Sequence, residues 1–177
     1  MEYRRPEPLG RDHELADFNC GEPALDEWLK RHARPTHAGG GARVYVTTPT
    51  NHPRGVVGYY ALAAAQVEPP DATERMTRGQ PSHRAVPVVL LARLAVDRAH
   101  QGRRLGSSLL KDAMLRVLQA ADAIGIRALV VHAKHERART WHEQYGFEPS
   151  PTDPLHLILL LNDLRRFIER QTREPES

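Results

Sequence analysis

Residues 86–133 restrict this chain to a narrow set of folds. The stretch 86–96 reads Val-Pro-Val-Val-Leu-Leu-Ala-Arg-Leu-Ala-Val, a nearly continuous apolar run between polar segments. Such a run suits a strand covered on both faces. Residues 102–123 then place Leu105, Leu109, Leu110, Ala113, Met114, Val117 and Leu118 on one side of a long helix. Residues 126–133, Ile-Arg-Ala-Leu-Val-Val-His-Ala, form a second buried strand. Strand, crossover helix and strand in succession predict a parallel pair, 86–96 with 126–133, joined by a right-handed connection. The fold class is therefore α/β, with helices flanking a central sheet.

The flanking segments make that sheet mixed. Runs rich in β-branched and aromatic residues at 43–48 and 56–67 enclose the turn 49–55, which predicts a hairpin. Before them, Ala24, Leu25, Trp28, Leu29 and Ala33 share one stripe of a helix over 24–34, which Pro35 and the run Gly39–Gly41 should end. Residues 69–85 read as a polar loop with one helical turn. A short helix is expected over 135–145 with Gly146 as its stop, then a strand over 155–161 and a helix over 162–170. Residues 1–170 make one domain, and 171–177 a flexible tail.

Composition excludes several function classes. Cys20 is the only cysteine, so neither an intrachain disulfide nor a cysteine-based zinc site can form. The ten histidines, His83 among them, show no metal-ligand spacing, and no metal is expected. No stretch approaches the ~18 apolar residues of a membrane span, and the first residues lack the apolar run of a signal peptide. The expected setting is cytoplasmic, with no membrane partner. Of 25 basic residues only Lys30, Lys111 and Lys134 are lysine. Seven arginines within 72–106 (75, 78, 84, 93, 98, 103 and 104) face only Glu74 and Asp97, whereas residues 1–40 are net acidic. Codon bias can explain the preference for arginine but not its concentration. Guanidinium forks bind phosphate, so a polyanionic partner is expected.

The turn Gln101-Gly102-Arg103-Arg104-Leu105-Gly106 links the first buried strand to the long helix. The first N–H groups of a helix have no internal partner, glycine permits close backbone approach, and the dipole favours an anion there. The turn is a candidate pyrophosphate cradle, with a purely structural strand-to-helix turn as the alternative. It contains neither G-x-G-x-x-G nor Gly-Lys-Ser/Thr, so the dinucleotide and Walker fingerprints are absent.

Two motifs carry a resemblance. Arg93-Leu94-Ala95-Val96-Asp97 followed by Gln101-Gly102-Arg103-Arg104-Leu105-Gly106-Ser107 resembles the acetyl-CoA motif of the GNAT superfamily of N-acetyltransferases, Gln/Arg-x-x-Gly-x-Gly/Ala, with Arg104 at the first glycine position. His135-x-x-Ala138-x-x-Trp141-His142-x-x-x-Gly146-Phe147 resembles that superfamily's Asn-x-x-Ala-x-x-Phe-Tyr-x-x-x-Gly-Phe, with His135 for Asn and His142 for Tyr. The segments Phe18-Asn19-Cys20-Gly21, Leu25-Asp26-x-Trp28-Leu29, Gly58-Tyr59-Tyr60-Ala61-Leu62 and Gly146-Phe147-Glu148-Pro149-Ser150 are similar to the acetyltransferase toxins of type II toxin–antitoxin systems. The likeness runs from about residue 10 to 165.

The resemblance implies a GNAT-like fold and transfer of acetyl from acetyl-CoA to the α-amine of an aminoacyl-tRNA, which blocks translation. It implies cofactor contacts at Leu94, Ala95, Val96, Gln101, Gly102, Arg103, Arg104, Leu105, Gly106, Ser107, His135 and Arg139. The general acid is expected at His142, with Tyr145 as its substitute or as packing beneath the Gly146 turn. A free α-amine titrates near ~7.7–8.0, so no dedicated base is required. The tRNA contacts are expected at Arg75, Arg78 and Arg84, then at Lys30, Arg31 and Arg34 on the first helix. The implied partners are aminoacyl-tRNA and a ribbon-helix-helix antitoxin, with a homodimer left open. Two alternatives remain: a GNAT enzyme acting on a small amine or a protein N-terminus, and a form impaired in catalysis by His142 that binds acyl-CoA or the antitoxin.

Overall fold

A computed structural model describes residues 1–81 and 84–174. His83 and the last three residues of the expected tail lie outside that range. The strands are β1 (Glu7–Pro8), β2 (Arg43–Thr47), β3 (Gly58–Val67), β4 (Val86–Val96), β5 (Ala128–His132), β6 (Glu148–Pro149) and β7 (His156–Leu160). The helices are α1 (Pro23–Arg31), α2 (Ala33–Gly39), α3 (Glu74–Thr77), α4 (Leu105–Ala121), α5 (Glu136–Glu143) and α6 (Leu161–Arg173). The sheet order is β1-β2-β3-β4-β5-β7-β6. β2 and β3 form the expected antiparallel hairpin. β4 and β5 are the parallel pair, with α4 as the crossover between them. β5 with β7 and β7 with β6 run antiparallel, so the sheet is mixed.

Three sequence expectations need correction. Pro35 does not end a helix: it lies in the first turn of α2, where the missing N–H would have no partner. That helix closes at Gly40, whose φ of 77° is the left-handed stop glycine provides. The terminal helix continues to Arg173, so residues 171–173 are helical. The two-residue strands β1 and β6 were not expected.

The chain divides into two compact units. The first holds Met1–Ala63 and Ala92–Ala113. Its core collects Phe18, Leu25, Leu29, Val44, Val46, Tyr59 and Ala95, with Trp28 packed against them. Leu25 and Leu29 are one helical turn apart on α1, which is why that stripe is apolar. Tyr59 buries its ring and donates its hydroxyl to the Leu25 carbonyl at 2.8 Å, so its polar end is satisfied.

The second unit holds Ala64–Leu91 and Met114–Ser177. Its core joins Met76, Val86, Val88, Ala128, Val130, Ile158 and Leu160. The alternation of Val86 with Val88 and of Ala128 with Val130 puts these side chains on one face. Thr73 caps α3 by accepting the Met76 N–H. The Arg127 guanidinium donates to the carbonyls of Arg75 and Met76, both at 3.1 Å, and so satisfies the open end of that short helix.

Candidate active site

The ladder between β4 and β5 runs from Val88↔Ala128 to Leu91↔Val131, and β4 continues five residues further, to Val96. Leu94 and Val96 are half-buried and Ala95 is buried. Directly after them the chain is clasped. The Asp97 carboxylate accepts the N–H of Asn19 and of Ala99, each at 2.9 Å. The Arg98 N–H donates to the Asn19 carbonyl at 2.8 Å. The Gln101 amide nitrogen donates to the carbonyls of Cys20 at 3.0 Å and of Val96 at 2.9 Å. This explains why Asn19-Cys20 and Asp97…Gln101 occur together in one sequence: they form a single joint that fixes the turn. The side-chain nitrogen of Gln101 is thus committed to the protein. Cys20 belongs to the same joint. Burial, then the bond with Asp26, pushes its thiol up to about 11, so it is no nucleophile at neutral pH.

The turn itself is left-handed at two residues, with φ of 78° at Gly102 and 61° at Arg104. A Cβ on Gly102 would meet nothing within 4 Å, so the space beside it is open. Leu105 is buried and anchors α4, Gly106 and Ser107 are half-buried, and Arg103 and Arg104 are exposed. The Ser108 N–H is the first bonded back to Arg104, at 3.1 Å. Open space, a helix start and two exposed guanidinium groups fit a pyrophosphate.

Arg104, which stands at the motif's first glycine position, holds a left-handed backbone that favours glycine. A side chain in that region costs roughly 1–2 kcal/mol, partly offset because arginine loses less backbone entropy on folding than glycine. Arg104→Gly is therefore expected to raise the melting temperature by about 2–4 °C in a calorimetric scan. A fall would show that the arginine side chain stabilises the turn by more than the strain it imposes.

The other expected residues lie on or beside α5, in the second unit. His135 caps that helix, its Nδ1 accepting the Ala138 N–H at 3.1 Å. Nδ1 is therefore unprotonated, and the ring's proton sits on Nε2. Asparagine is among the best capping residues, and His135 fills the same capping position here. Arg139 pairs along its own helix with Glu143 at 2.9 Å and Glu136 at 3.3 Å. Tyr145 packs its ring against Trp141 and Phe167.

His142 is 8% exposed. Its ring is edge-on to Trp141 and to Phe147. Nδ1–H donates to the Ala138 carbonyl at 2.8 Å, so Nε2 carries the lone pair, and that atom is buried without a partner. Burial lowers the pKa of the ring, opposed by the bond to Ala138. At neutral pH His142 is thus a neutral imidazole.

The basic residues divide by partner. Arg75 is bound to Glu148 at 2.5 Å and to Asp163 at 2.8 Å, acids far away in sequence, although only Glu74 and Asp71 lie close along the chain. Arg31 pairs with Glu27 at 3.0 Å, and Arg34 donates to the His13 carbonyl. Arg78, Arg84 and Lys30 are exposed and, among the described residues, enter no ion pair.

Arg93 is a charge on β4 that sequence reading did not single out. It lies on β4 just past the ladder, its guanidinium 4.5 Å from the centre of the Trp28 ring, and its Nε is buried without a hydrogen-bond partner. The available signal was one charge within an otherwise apolar strand.

Three comparisons bear on this geometry. The family described as acetyltransferase (GNAT) domain matches residues 40–149. A tRNA-acetylating toxin of Mycobacterium tuberculosis is 48% identical over 166 residues, 94% of this chain and 97% of that protein. Among solved structures, AtaT complexed with acetyl-methionyl-tRNAfMet superposes with a TM-score of 0.85 at 29% identity, covering 94% of this chain and 99% of that one. A Tyr-to-Phe variant of AtaT, bound to the C-terminus of the antitoxin AtaR and to acetyl-CoA, superposes with a TM-score of 0.79 at 30% identity, covering 96% and 99%.

Proposed function

We propose that this chain, which belongs to the GNAT acetyltransferase family, is a toxin that moves acetyl from acetyl-CoA to the α-amine of an aminoacyl-tRNA and so blocks translation. The observation that carries this reading is 48% identity to a tRNA-acetylating toxin along almost the whole of both chains. In this reading residues 1–170 act as one catalytic domain. The enzyme is an acetyl-CoA-dependent acyltransferase, and acetyl-CoA is its co-substrate.

Backbone groups of Leu94, Ala95 and Val96 hold the amides of the pantetheine arm, on the length of β4 that lies past the ladder. The turn from Gln101 to Ser107 holds the pyrophosphate, and the family motif adds His135 and Arg139 as cofactor contacts. The thioester supplies an activated acetyl group. The neutral α-amine attacks its carbonyl, an amide bond forms, the carbon–sulfur bond breaks, and the leaving thiolate takes a proton. An α-amine at ~7.7–8.0 is partly neutral at pH 7, and the ester of an aminoacyl-tRNA lowers it further. His142 occupies the acid position, and Tyr145 supports its helix by packing.

The partner class is an antitoxin whose C-terminus binds the toxin, as the C-terminus of AtaR is bound to the AtaT variant. A ribbon-helix-helix DNA-binding part, a homodimeric assembly and a cytoplasmic setting are finer proposals. No helix among the described residues is long and apolar enough to cross a membrane.

Labelled acetyl transfer onto total charged tRNA tests the activity. Transfer to a small amine or a peptide N-terminus, with none to tRNA, would overturn it. One observation favours a second reading: the lone pair on His142 Nε2 suits a form that binds acetyl-CoA and antitoxin with little turnover. Binding without transfer in the same assay identifies that form.

The ion pairs of Arg75 alter the expected tRNA footprint. Its charge is already balanced by Glu148 and Asp163, so Arg78 and Arg84 carry the contribution of the segment 69–85. Changing both to alanine should flatten the salt dependence of tRNA binding by about 2 in the log–log slope, while Arg75→Ala changes it little. The measurement is filter binding between 50 and 200 mM salt. An unchanged slope in the double variant moves the footprint to Lys30, Arg31 and Arg34.

A further inference from the structure

His132 stands where the sheet changes partner. It lies opposite His156 in the antiparallel ladder of β5 and β7, and it is the first residue of β5 beyond Leu91↔Val131, the last rung shared with β4. Directly opposed side chains on one face of a ladder meet. Here the two imidazoles stack, 3.9 Å between centroids and 12° between planes. The Asp153 carboxylate lies 3.5 Å from His156 Nε2. Stack and carboxylate together fix His156, and His156 fixes the plane of His132. Among the described residues neither ring nitrogen of His132 is hydrogen-bonded. Both rings border a cleft of about 170 Å³ with Val88, Leu90, Val130 and Ile158 in its lining.

The charged groups around His132 are His156 on β7, Asp153 just before that strand, and Glu68 and Asp71 in the same cleft. Partial burial, then the His156 ring, lowers its pKa from the ordinary 6.5, opposed by Asp153. His132 is therefore a neutral imidazole at pH 7, with carboxylates placed to balance the charge it gains with a proton. The residue is also exposed, so that proton can pass on to water.

The proposed transfer leaves one proton unassigned. A neutral amine needs no base in order to attack, but its nitrogen becomes cationic as the C–N bond forms. The amide results only when that nitrogen loses a proton. With the pyrophosphate at the turn after β4 and the arm on Leu94–Val96, the acyl end is directed back along β4 toward Leu91. At that rung β5 presents His132. We propose that His132, positioned by His156, is the general base that takes this proton from the acceptor amine. The proton moves from nitrogen to imidazole and then to water. The carbon–sulfur bond breaks with its electron pair on sulfur, and the thiolate is protonated separately. The proposal rests on the acetyl-transfer reading above and supplies its base.

The test measures transfer to charged tRNA at saturating acetyl-CoA by the wild-type chain, His132→Gln and His132→Ala. Glutamine keeps a planar polar group beside His156 but takes up no proton at neutral pH. Both variants should lose about 100-fold in kcat with little change in KM. Added imidazole should restore the rate of His132→Ala. Pyrazole, of the same shape but a far weaker base, should not. In the free chain, the His132 Cε1–H resonance should titrate below 6.5, and His156→Ala should move its midpoint up toward 6.5. Retained kcat in His132→Gln, equal rescue by pyrazole, or a His132 that titrates above neutrality would each overturn the proposal. If the wild-type chain acetylates a peptide or an amino-acid ester but not charged tRNA, the tRNA reading fails alone, and the same variants on that acceptor decide the base. A chain that acetylates no amine overturns both.

Discussion

His142→Tyr should raise acetyl transfer to charged tRNA at pH 8 by about 100-fold or more. The reason is which ring nitrogen carries the proton. The Nδ1 proton of His142 is bound to the Ala138 carbonyl, and the other ring nitrogen, the buried Nε2, holds a lone pair. An acid at this position must have a proton to give. An ordinary histidine is about one quarter protonated at pH 7, and burial lowers that fraction here. A tyrosine with a pKa near ~10 is fully protonated across the same range. General-acid assistance is worth ~10²–10⁴-fold when the group is placed and charged with its proton.

The pH profile gives the sign. The supply of neutral amine grows as pH rises. In the histidine form the acid disappears over the same interval, so the rate should peak and then fall. In the tyrosine form the rate should climb through neutrality and level off. His142→Phe supplies the control: it keeps the ring between Trp141 and Phe147 and has no proton to give. A gain in His142→Phe equal to that in His142→Tyr would trace the effect to packing and remove residue 142 from the chemistry. Stability carries a second signature. Because the folded pKa lies below the ordinary 6.5, the unfolded chain takes up the proton first. The stability contributed by the neutral ring is intact above about pH 6.5 and is lost as pH falls toward the lowered value. Both substitutions should remove that acid sensitivity.

The scaffold of this site was legible in local pattern, and its fine geometry was not. Apolar runs bounded by polar turns identify β4 and β5, and the period of α4 identifies the crossover, because these signals lie within one stretch of chain. The two-residue strands β1 and β6 are too short to carry a pattern. Pro35 was misread because the same residue that ends one helix suits the first turn of the next. The joint at the start of the turn draws on Asn19 and Asp97, 78 residues apart, and on Cys20 and Gln101, 81 apart. Nothing local marks such pairs, nor the distant acids that hold Arg75. The motif located residue 142, but the tautomer of its ring depends on a carbonyl one helical turn back and on two aromatic neighbours, which only the fold supplies.

Gly106→Glu should abolish acetyl-CoA binding while leaving the fold intact, and the contrast between the two makes the result decisive. Gly106 lies in the first turn of α4. Its φ is not among the positive values, which occur at Gly102 and Arg104 in this segment, so an L side chain adds no backbone strain there. Replacing glycine inside a helix lowers the entropy cost of folding, and a carboxylate in the first turn interacts favourably with the helix dipole. Considered alone, the change should hold or raise the melting temperature. For the pyrophosphate the same carboxylate is harmful. In the proposed site it would occupy the space a phosphate needs and place like charge against it, where the helix N–H groups and Arg103 and Arg104 gather positive potential. Loss of the charge-assisted bonds alone would weaken binding by ~1.5–3 kcal/mol per bond, so a drop of at least 100-fold is expected in calorimetric titration with acetyl-CoA. Gly106→Ala, which adds bulk without charge, should fall between the two. If Gly106→Glu bound acetyl-CoA as the unaltered chain does, the pyrophosphate would have to lie elsewhere, and the turn after Gln101 would be only the connection between β4 and α4.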